Sequence, residues 1–406
     1  MYSVVSGDTF ELISRKQYGT EQYTGNIIQA NPGASEPLQP GTSLIIPANP
    51  TANENKPQTA EAENLDEVAL LIDGKRFRFW TSIKLTRGID NMDTLDIGAP
   101  FEPNLASFKE TFRPFSFKST EITVGGEPLF KGTMISVIPT LGDSKVIQVS
   151  AYSMPGVLND CTAPASAYPL EYNNQNLQAL TNAVIKPFGL SAVFEAEPGA
   201  VFERVAINPG QKLLDFISDL ARQRNLVISS TERGELLFRK SIENGVPVAK
   251  LRQGESPVVS VSPTFNPQDY YSHVTGIEPI VVGLAGDVFT VKNGKLTTLL
   301  RPFTFLAQDA ESGTLKEAVE AKAGRMFGNM VSYKLSVNTW RDPAGKLWQP
   351  NTLVNLQSNN AMIYEPYNLV IRSVEFSRDE NSQTATLDLV IPGSFSGKIP
   401  EVLPWD

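Results

Sequence analysis

The sequence has very little of the side-chain chemistry on which most enzymes depend. Its 406 residues include one cysteine and one histidine. The single cysteine, Cys161, excludes an internal disulfide framework, and we expect it to behave as a small buried hydrophobe. The single histidine, His273, excludes a metallopeptidase with two histidine ligands and also a Cys–His–His constellation. A Cys161–His273 or Ser–His dyad has no nucleophile-elbow sequence around it.

Long apolar segments and clusters of positive charge are also missing. No run approaches the roughly 20 apolar residues that span a bilayer, and the first residues lack the basic and apolar regions of a signal peptide. We therefore expect the chain to fold in a cytoplasm. The formal net charge is −9, and no group of Lys and Arg is available to hold phosphate backbones. The sequence predicts no nucleic-acid-binding surface, no metal site and no cofactor.

One enzymatic alternative stays open at this stage. A glycosidase needs only two carboxylates, and 44 Asp and Glu residues do not exclude such a pair. No pair stands out, however, and the strand-rich pattern leaves no long helical segment of the lysozyme kind. We predict that the chain has no catalytic residues.

Glycine and proline are abundant, at 29 residues each. This composition favours many short strands joined by turns over long helices. The chain is also too long for one ordinary hydrophobic core, so two to four domains are expected. The fold class predicted is α+β, mainly β.

The first 47 residues form a separate pattern, which predicts a βααβ module. We expect Asp8 to cap the first helix, with Glu11 reaching back in a capping box. A left-handed C-cap is expected at Gly19. A second short helix is predicted to carry Tyr23, Ile27 and Ile28 on one face and to stop at Asn31-Pro32. The pair Pro40-Gly41 suits a type II turn that leads the last strand back beside the first.

The motifs of this module resemble those of the LysM family. They are Tyr2-x-Val4, Gly7-Asp8-Thr9, Tyr18-Gly19, Ile28-x-Ala30-Asn31-Pro32 and Leu38-x-Pro40-Gly41-x-x-Leu44-x-Ile46-Pro47. The resemblance implies a shallow groove between two loops, which holds N-acetylglucosamine units in family members that bind peptidoglycan or chitin. The LysM fold also occurs as a joint between proteins of contractile injection machines. The groove residues carried over for glycan or protein binding are Gly7, Asp8, Thr9, Phe10, Asn31, Pro32 and Leu38. The same residues are needed to start and stop the helices, so the alternative is a purely structural role.

The rest of the chain alternates between strand and helix patterns. Hairpin turns are predicted at Asp73-Gly74, Gly125-Gly126 and Asn293-Gly294. Helices are predicted over Asn176–Pro187, Gln211–Arg224 and Thr314–Asn329. Strands are predicted over Tyr333–Trp340, Thr352–Gln357, Leu369–Phe376 and Thr384–Ile391. The resulting division is a LysM module at 1–48, a flexible linker at 49–66, a first antiparallel β-barrel at 67–164, an α/β insertion at 165–242, and a second β-barrel with a helix and C-terminal segment at 243–406.

The body carries a second resemblance, to the baseplate hub proteins of Mu-like contractile-tailed phages. Its landmarks occur in order from about residue 66 to 396. They include Phe79-Trp80-Thr81-Ser82, Thr86-Arg87-Gly88-Ile89, Val157-Leu158-x-Asp160-Cys161, Ile185-x-Pro187-Phe188-Gly189-Leu190 and Trp340-Arg341-x-x-x-Gly345-Lys346-Leu347-Trp348-x-Pro350-Asn351. Trp340 and Trp348 flank a turn, so they are also expected to staple a hairpin.

This second resemblance implies a structural hub in the virion tail, assembled in the host cytoplasm. It implies a homotrimer whose two tube-like barrels per subunit form a pseudo-sixfold ring. The implied partners are the tail tube protein, the central spike and the wedge or sheath-initiator proteins, with DNA passing through the lumen unbound. The LysM module is expected to dock to a neighbouring baseplate component. The alternatives are a peptidoglycan-binding tail protein and a LysM-targeted cell-wall hydrolase.

Overall fold

The N-terminal module and the body are separate compact units in the computed structural model. They comprise Met1–Asn64 and Leu65–Asp406. The structure describes residues 2–18, 21–47, 65–142, 145–278, 286–307, 315–395 and 402–406. The C-cap predicted at Gly19 and nearly all of the predicted linker lie outside these residues. No helix in the described part of the chain is long and apolar enough to span a membrane.

The N-terminal unit has the βααβ order that the sequence predicts. Its elements are β1 (Tyr2–Ser3), α1 (Phe10–Tyr18), α2 (Thr24–Ala30) and β2 (Ser43–Leu44), with a short 3-10 turn at Glu21–Tyr23 before α2. Strands β1 and β2 pair antiparallel, and the type II turn at Pro40-Gly41 is confirmed by the positive φ of Gly41. The predicted stripe of α2 is only partly right, because Ile27 is buried whereas 45% of Ile28 is exposed.

The start of α1 differs from the prediction. Asp8 does not cap the helix, because its carboxylate bonds to other groups described below. Instead, Thr9 Oγ1 accepts a hydrogen bond from the Leu12 amide at 3.2 Å. The Phe10 amide donates to Glu36 Oε1 at 2.7 Å. A carboxylate from a distant loop therefore supplies the negative charge that favours a helix N-terminus.

The body consists of three consecutive segments. The first contains β3 (Val68–Ile72), β4 (Lys75–Phe77), β5 (Ser82–Gly88), β6 (Thr94–Pro100), α3 (Ala106–Thr111), β7 (Ser119–Val124), β8 (Glu127–Leu141) and β9 (Lys145–Ser153). The middle contains α4 (Val157–Asp160), β10 (Glu171–Gln175), α5 (Leu177–Ile185), β11 (Ala192–Phe194), β12 (Phe202–Ala206), α6 (Leu213–Gln223), β13 (Val227–Ser230) and β14 (Leu236–Arg239). The last contains β15 (Ala249–Arg252), β16 (Val258–Phe265), β17 (His273–Ile277), β18 (Val288–Lys292), β19 (Pro302–Leu306), α7 (Leu315–Met330), β20 (Val331–Val337), β21 (Leu353–Ser358), β22 (Ile363–Asp379) and β23 (Gln383–Val390).

One sheet of 13 strands joins the first and last segments. Its main path is β16-β20-β23-β22-β5-β6-β9-β8-β7-β3-β4, and β21 links β22 to β15. The 17-residue strand β22 makes this connection, because its first half pairs with β21 and its second half with β23 and β5. The two closed barrels predicted from the sequence are not confirmed, since none of the described sheets closes on itself. One apolar core runs through both segments.

The middle segment matches the sequence prediction closely. Helices α5 and α6 lie where they are expected, and the hairpin β13–β14 follows α6. The Asn176 side chain caps α5 by accepting from the Ala179 amide at 2.9 Å, and Gly189 ends the following turn in the left-handed conformation. These elements enclose their own apolar core.

A small sheet in the last segment corrects one prediction. Strand β17 pairs antiparallel with β18 and parallel with β19, and α7 packs against this sheet. Residues Asn293-Gly294 follow β18 but do not form a hairpin. The chain turns there, with the Leu296 amide bonded to the Asn293 carbonyl, and continues to β19 without pairing back onto β18. The chain therefore does turn at Asn293-Gly294, but the strand pairing predicted from this turn was wrong.

Candidate functional site

Some of the residues predicted to line the LysM groove are exposed, and the others are buried or half-buried. Gly7, Thr9 and Pro32 are exposed. Buried or half-buried positions are occupied by Asp8, Phe10, Asn31 and Leu38. The Phe10 amide donates a hydrogen bond to the Glu36 carboxylate, and this bond joins the two loops of the predicted groove. Sequence reasoning did not identify Glu36, because nothing in its neighbourhood distinguishes it from other loop carboxylates.

Asp8 is fully engaged inside the module. Its carboxylate accepts hydrogen bonds from the Val5 amide at 2.8 Å, the Tyr2 hydroxyl at 2.9 Å and Lys16 Nζ at 2.7 Å. The Lys16 hydrogen bond, followed by that of the Val5 amide, holds the pKa of Asp8 below its ordinary value. Only 5% of the residue is exposed. Asp8 therefore fastens β1 to α1 and has little surface left for a ligand.

Asn31 has a comparable structural role. Its Oδ1 accepts from the Ile45 amide at 2.8 Å, while its Nδ2 donates to the carbonyls of Ile45 at 2.8 Å and Ile27 at 2.7 Å. The Asn31 side chain therefore links the end of α2 to the residue that follows β2, through the pair of hydrogen bonds that two backbone segments would exchange. The Asp8 carboxylate and the Asn31 amide of the predicted groove are thus already used by the fold, and Thr9 Oγ1 accepts from the Leu12 amide.

In the body, the landmark residue Arg87 is the centre of a buried polar junction. Its Nε donates to Asp93 Oδ2 at 2.9 Å, and its Nη1 donates to Glu232 Oε1 at 2.7 Å and to Gln349 Oε1 at 3.3 Å. A fourth bond reaches the Ser230 carbonyl at 3.5 Å. The junction therefore connects β5, the β13–β14 turn of the middle segment, and the last segment.

Burial dominates the electrostatics of this junction. Only 5% of the Arg87 side chain and 2% of the Asp93 side chain are exposed. Burial raises the pKa of Asp93, and the positive charge of Arg87 opposes that rise. Each ion is costly to bury without the other, so Asp93 holds the Arg87 guanidinium in the interior. From there Arg87 reaches Glu232 of the middle segment and Gln349 of the last segment.

A second arginine joins the ends of the body. Arg341 Nη1 donates to Glu127 Oε1 at 3.1 Å and to the Gly345 carbonyl at 2.8 Å. Its Nη2 donates to the carbonyls of Leu65 at 2.6 Å and Val124 at 3.4 Å. Arg341 thus connects the turn after β20 to the first strands of the body.

Of the two tryptophans beside Arg341, Trp348 bonds across the turn as expected, whereas Trp340 bonds to the neighbouring strands. The indole N–H of Trp340 donates to the Thr384 carbonyl at 2.8 Å, and that of Trp348 donates to the Thr339 carbonyl at 2.9 Å. Both side chains are buried. Asn351 completes the landmark by accepting from the Ile242 amide at 2.8 Å and donating to the Lys240 carbonyl at 3.0 Å.

A third junction lies between two helices of the body. Asp90 forms ion pairs with Arg222 of α6 at 3.4 Å and with Arg325 of α7 at 3.6 Å. The carboxylate therefore bridges the middle segment and the helix of the last segment. Like the other junctions, it joins residues that are far apart in the sequence.

The residues considered for catalysis have ordinary surroundings. His273 is half-buried on β17, and its Nδ1 is 3.0 Å from Ser272 Oγ. Cys161 is half-buried after α4, not fully buried as the sequence suggested. No group of three or more His, Cys, Asp or Glu residues suited to a metal occurs among the described residues.

Comparisons with known proteins assign two parts of the chain. Residues 2–47 match the LysM domain, and residues 155–240 match the second domain of gp44-like baseplate hub proteins. The chain therefore combines a LysM domain with a domain of phage baseplate hubs.

The sequence similarity extends over most of the body. The chain is 23% identical over 350 residues to baseplate hub protein gp44 of Escherichia phage Mu, covering 79% of this chain and 87% of that protein. The chain is therefore similar to that Mu hub protein over most of its body.

Two solved structures share the fold. The 43 kDa tail protein of prophage MuSo2 from Shewanella oneidensis has a TM-score of 0.70 at 23% identity, covering 81% of this chain and 99% of that one. The tail protein from Neisseria meningitidis MC58 has a TM-score of 0.68 at 18% identity, covering 81% of this chain and 98% of that one. The architecture of the body is thus that of Mu-type tail proteins.

Proposed function

We propose that this chain is a structural hub of a contractile-tail baseplate and has no enzymatic activity. The observation that carries the proposal is the body itself. Its three segments are joined by buried arginines at Arg87 and Arg341 and by a half-buried ion-pair junction at Asp90, and they share their fold with Mu-type tail proteins. A body whose segments are joined in this way suits a load-bearing part of an assembly better than a catalyst, which must open and close around its substrate.

The proposed assembly is a homotrimer placed between the tail tube and the central spike. In this arrangement the first and last segments each supply one tube-like unit, so three subunits present six similar units to a hexameric tube. The single sheet that joins these segments through β22 supports the idea, because it holds the two units in a fixed relation. Wedge or sheath-initiator proteins would surround the ring in the virion tail.

We further propose that the LysM module docks to a protein of the baseplate and not to glycan. Support comes from Asp8 and Asn31, whose polar groups bond within the module. Apolar side chains are meanwhile available on its surface, with Val5 and Ile45 each 52% exposed and Ile28 45% exposed. An apolar surface of this kind fits a protein partner better than a sugar, which needs free hydrogen-bonding groups.

The hub proposal is tested by the mass of the purified chain in solution, followed by negative-stain images. A trimer with threefold symmetry and a central channel is expected. A stable monomer over the whole micromolar concentration range contradicts the trimeric ring. A chain lacking residues 1–60 is expected to remain trimeric but to impair baseplate assembly, because only the module is removed.

The glycan and hydrolase alternatives are tested separately. Sedimentation with insoluble peptidoglycan is compared for the wild-type chain and for Pro32→Asp, which places a charge on an exposed groove position. Equal and negligible sedimentation of both proteins is expected. Strong sedimentation of the wild-type chain that Pro32→Asp abolishes contradicts protein docking. Clearing of a peptidoglycan suspension by the purified chain contradicts the absence of enzymatic activity.

A further inference from the structure

A cleft of about 950 Å³ lies between the middle and last segments of the body. Residues of β12 and α6 form one side of it, and residues of β19 and α7 form the other. Arg222 and Arg325, which pair with Asp90, contribute to its wall. We call it the β12–β19 cleft, and its volume is in the range of ligand-binding sites in proteins.

Both strands that border the cleft are edge strands. Among the described strands, β12 pairs only with β10, and β19 pairs only with β17. The other edge of each strand therefore has backbone N–H and C=O groups without a partner in the described sheets. Such an edge is a template on which an extended peptide adds as a further strand. The cleft is thus bordered by backbone that can pair with an extended chain.

The buried part of the cleft lining is apolar. Phe216, Leu220 and Met326 belong to it, and each is buried. Leu306, at the end of β19, is 62% exposed and also lines the cleft. Alternate side chains of a bound strand point to one side, so this lining offers apolar contacts to every second residue of such a strand.

The charged side chains of the lining have a positive surplus. Those of the described residues are four cations and two carboxylates, namely Arg204, Arg222, Lys322, Arg325, Asp219 and Asp269. The chain as a whole has a formal net charge of −9. The cleft is therefore an exception on an acidic protein, and it favours an anionic ligand.

Carboxylates outside the lining compensate this surplus only in part. Glu171 pairs with Arg204 at 2.9 Å, whereas the single carboxylate of Asp90 is shared by Arg222 and Arg325. Burial lowers the pKa of Arg325, Asp90 opposes this shift, and the charge of Arg222 adds to it. A further carboxylate beside these two guanidinium groups would stabilise their charged forms.

Lys322 is the cation of the cleft that is free to meet a ligand. It is exposed on α7 and forms no ion pair with any described residue. Its Nζ lies 6.0 Å from the centre of the Phe305 ring on β19. The amino group is therefore close to the edge strand on which a peptide would add.

We propose that the β12–β19 cleft binds an extended acidic peptide segment of another baseplate protein, which adds to a free strand edge and pairs a carboxylate with Lys322. Only the description of the partner as a baseplate protein rests on the proposed hub function. DNA fits the cleft less well, because two carboxylates lie in the lining and its buried part is apolar.

Fluorescence anisotropy of the full chain with a short labelled peptide of alternating glutamate and valine tests this assignment. A second peptide carries lysine in place of glutamate. Lys322→Glu reverses the free cation, and Leu306→Asp places a carboxylate on the β19 side of the cleft. The control, Lys316→Glu, makes the same charge reversal on α7 at a side chain that is 64% exposed and outside the lining. Circular dichroism and the mass in solution are recorded for each variant.

We expect saturable binding of the glutamate peptide to the wild-type chain with a Kd on the order of 100 μM. Binding is expected to be about tenfold weaker in Lys322→Glu and in Leu306→Asp, and unchanged in Lys316→Glu. The lysine peptide is expected to bind about tenfold more weakly than the glutamate peptide.

Three results overturn the assignment. They are absence of saturable binding to the folded wild-type chain, equal affinity for the two peptides, and unchanged affinity in both cleft variants. Displacement of the peptide by a double-stranded oligonucleotide also overturns it, because the cleft then takes polyanions in general. A lower mass of folded Lys322→Glu alone places a second copy of the chain in the cleft and has the same consequence. A monomeric wild-type chain that binds the glutamate peptide refutes the trimeric ring but supports the cleft assignment.

Discussion

Removing the buried charge of Arg87 is expected to loosen the joint between the three segments of the body. Methionine at this position keeps most of the side-chain volume but leaves Asp93 in the interior without its cation. Arg87 also donates to Glu232 and Gln349, which lose a partner in the variant. Breaking a buried ion pair from one side costs about 3–5 kcal/mol, and we expect Arg87→Met to lose an amount in this range.

The size of this loss is expected to depend on pH. Burial already raises the pKa of Asp93, and losing the opposing charge of Arg87 raises it further. Unfolded Asp93 has a pKa of about 3.9. In the variant, folded Asp93 holds its proton to higher pH than unfolded Asp93 does. The stability of the variant relative to wild type is therefore highest at and below about pH 3.9, falls as pH rises through the folded pKa, and levels off above it.

Urea unfolding followed by tryptophan fluorescence and circular dichroism measures this effect. The matched control is Lys84→Met on the same strand, which removes an exposed ion pair with Glu375 and is expected to cost about 0–1 kcal/mol. The double variant Arg87→Met/Asp93→Leu removes both ions and is expected to recover much of the loss. A loss below about 1 kcal/mol in Arg87→Met, or no recovery in the double variant, would refute the reasoning.

Three further perturbations follow from the structure. Gly132→Ala places a Cβ 2.1 Å from the Tyr152 carbonyl oxygen and should cost about 1–3 kcal/mol in urea unfolding, whereas Gly142→Ala meets nothing within 4 Å and should be neutral. Trp340→Phe removes the indole N–H that donates to the carbonyls of Ser377 and Thr384. The expected loss in the free energy of unfolding is about 1–2 kcal/mol by the same assay. Because the pKa of Asp8 is lowered, its ionised form stabilises the module above the unfolded pKa, and this stability is lost as pH falls through the folded pKa. Amide exchange within residues 2–47 should therefore be faster in Asp8→Asn than in wild type at pH 7, and the two should converge in strong acid.

The elements of the fold that could be predicted from the sequence are those fixed by short-range signals. The hairpin at Asp73-Gly74 is an example, because both residues adopt the positive φ that a type I′ turn requires. The cap at Asn176 and the left-handed Gly189 likewise determine where α5 begins and where its terminal turn ends. In the N-terminal module the element order followed from similar short-range signals, such as the turn at Pro40-Gly41.

The elements that could not be predicted depend on contacts between distant residues. Strand β22 belongs to both halves of the large sheet, and no local pattern indicates that its second half pairs with β5 almost 300 residues earlier. Similarly, an Asn-Gly turn specifies a change of direction but not a partner, which is why Asn293-Gly294 was misread. The groove motif also does not reveal accessibility, because Asp8 is bonded to the Tyr2 hydroxyl, the Val5 amide and Lys16 Nζ, and Asn31 to Ile27 and Ile45, which the folded module brings together.

The landmark residues of the body act as joints between distant elements. Arg87, Trp340 and Asn351 are recognisable in the sequence because each satisfies several distant polar groups, and few other side chains could replace them. These bonds join elements that are far apart in the sequence, so the landmarks show how the body is held together and do not by themselves identify a working surface.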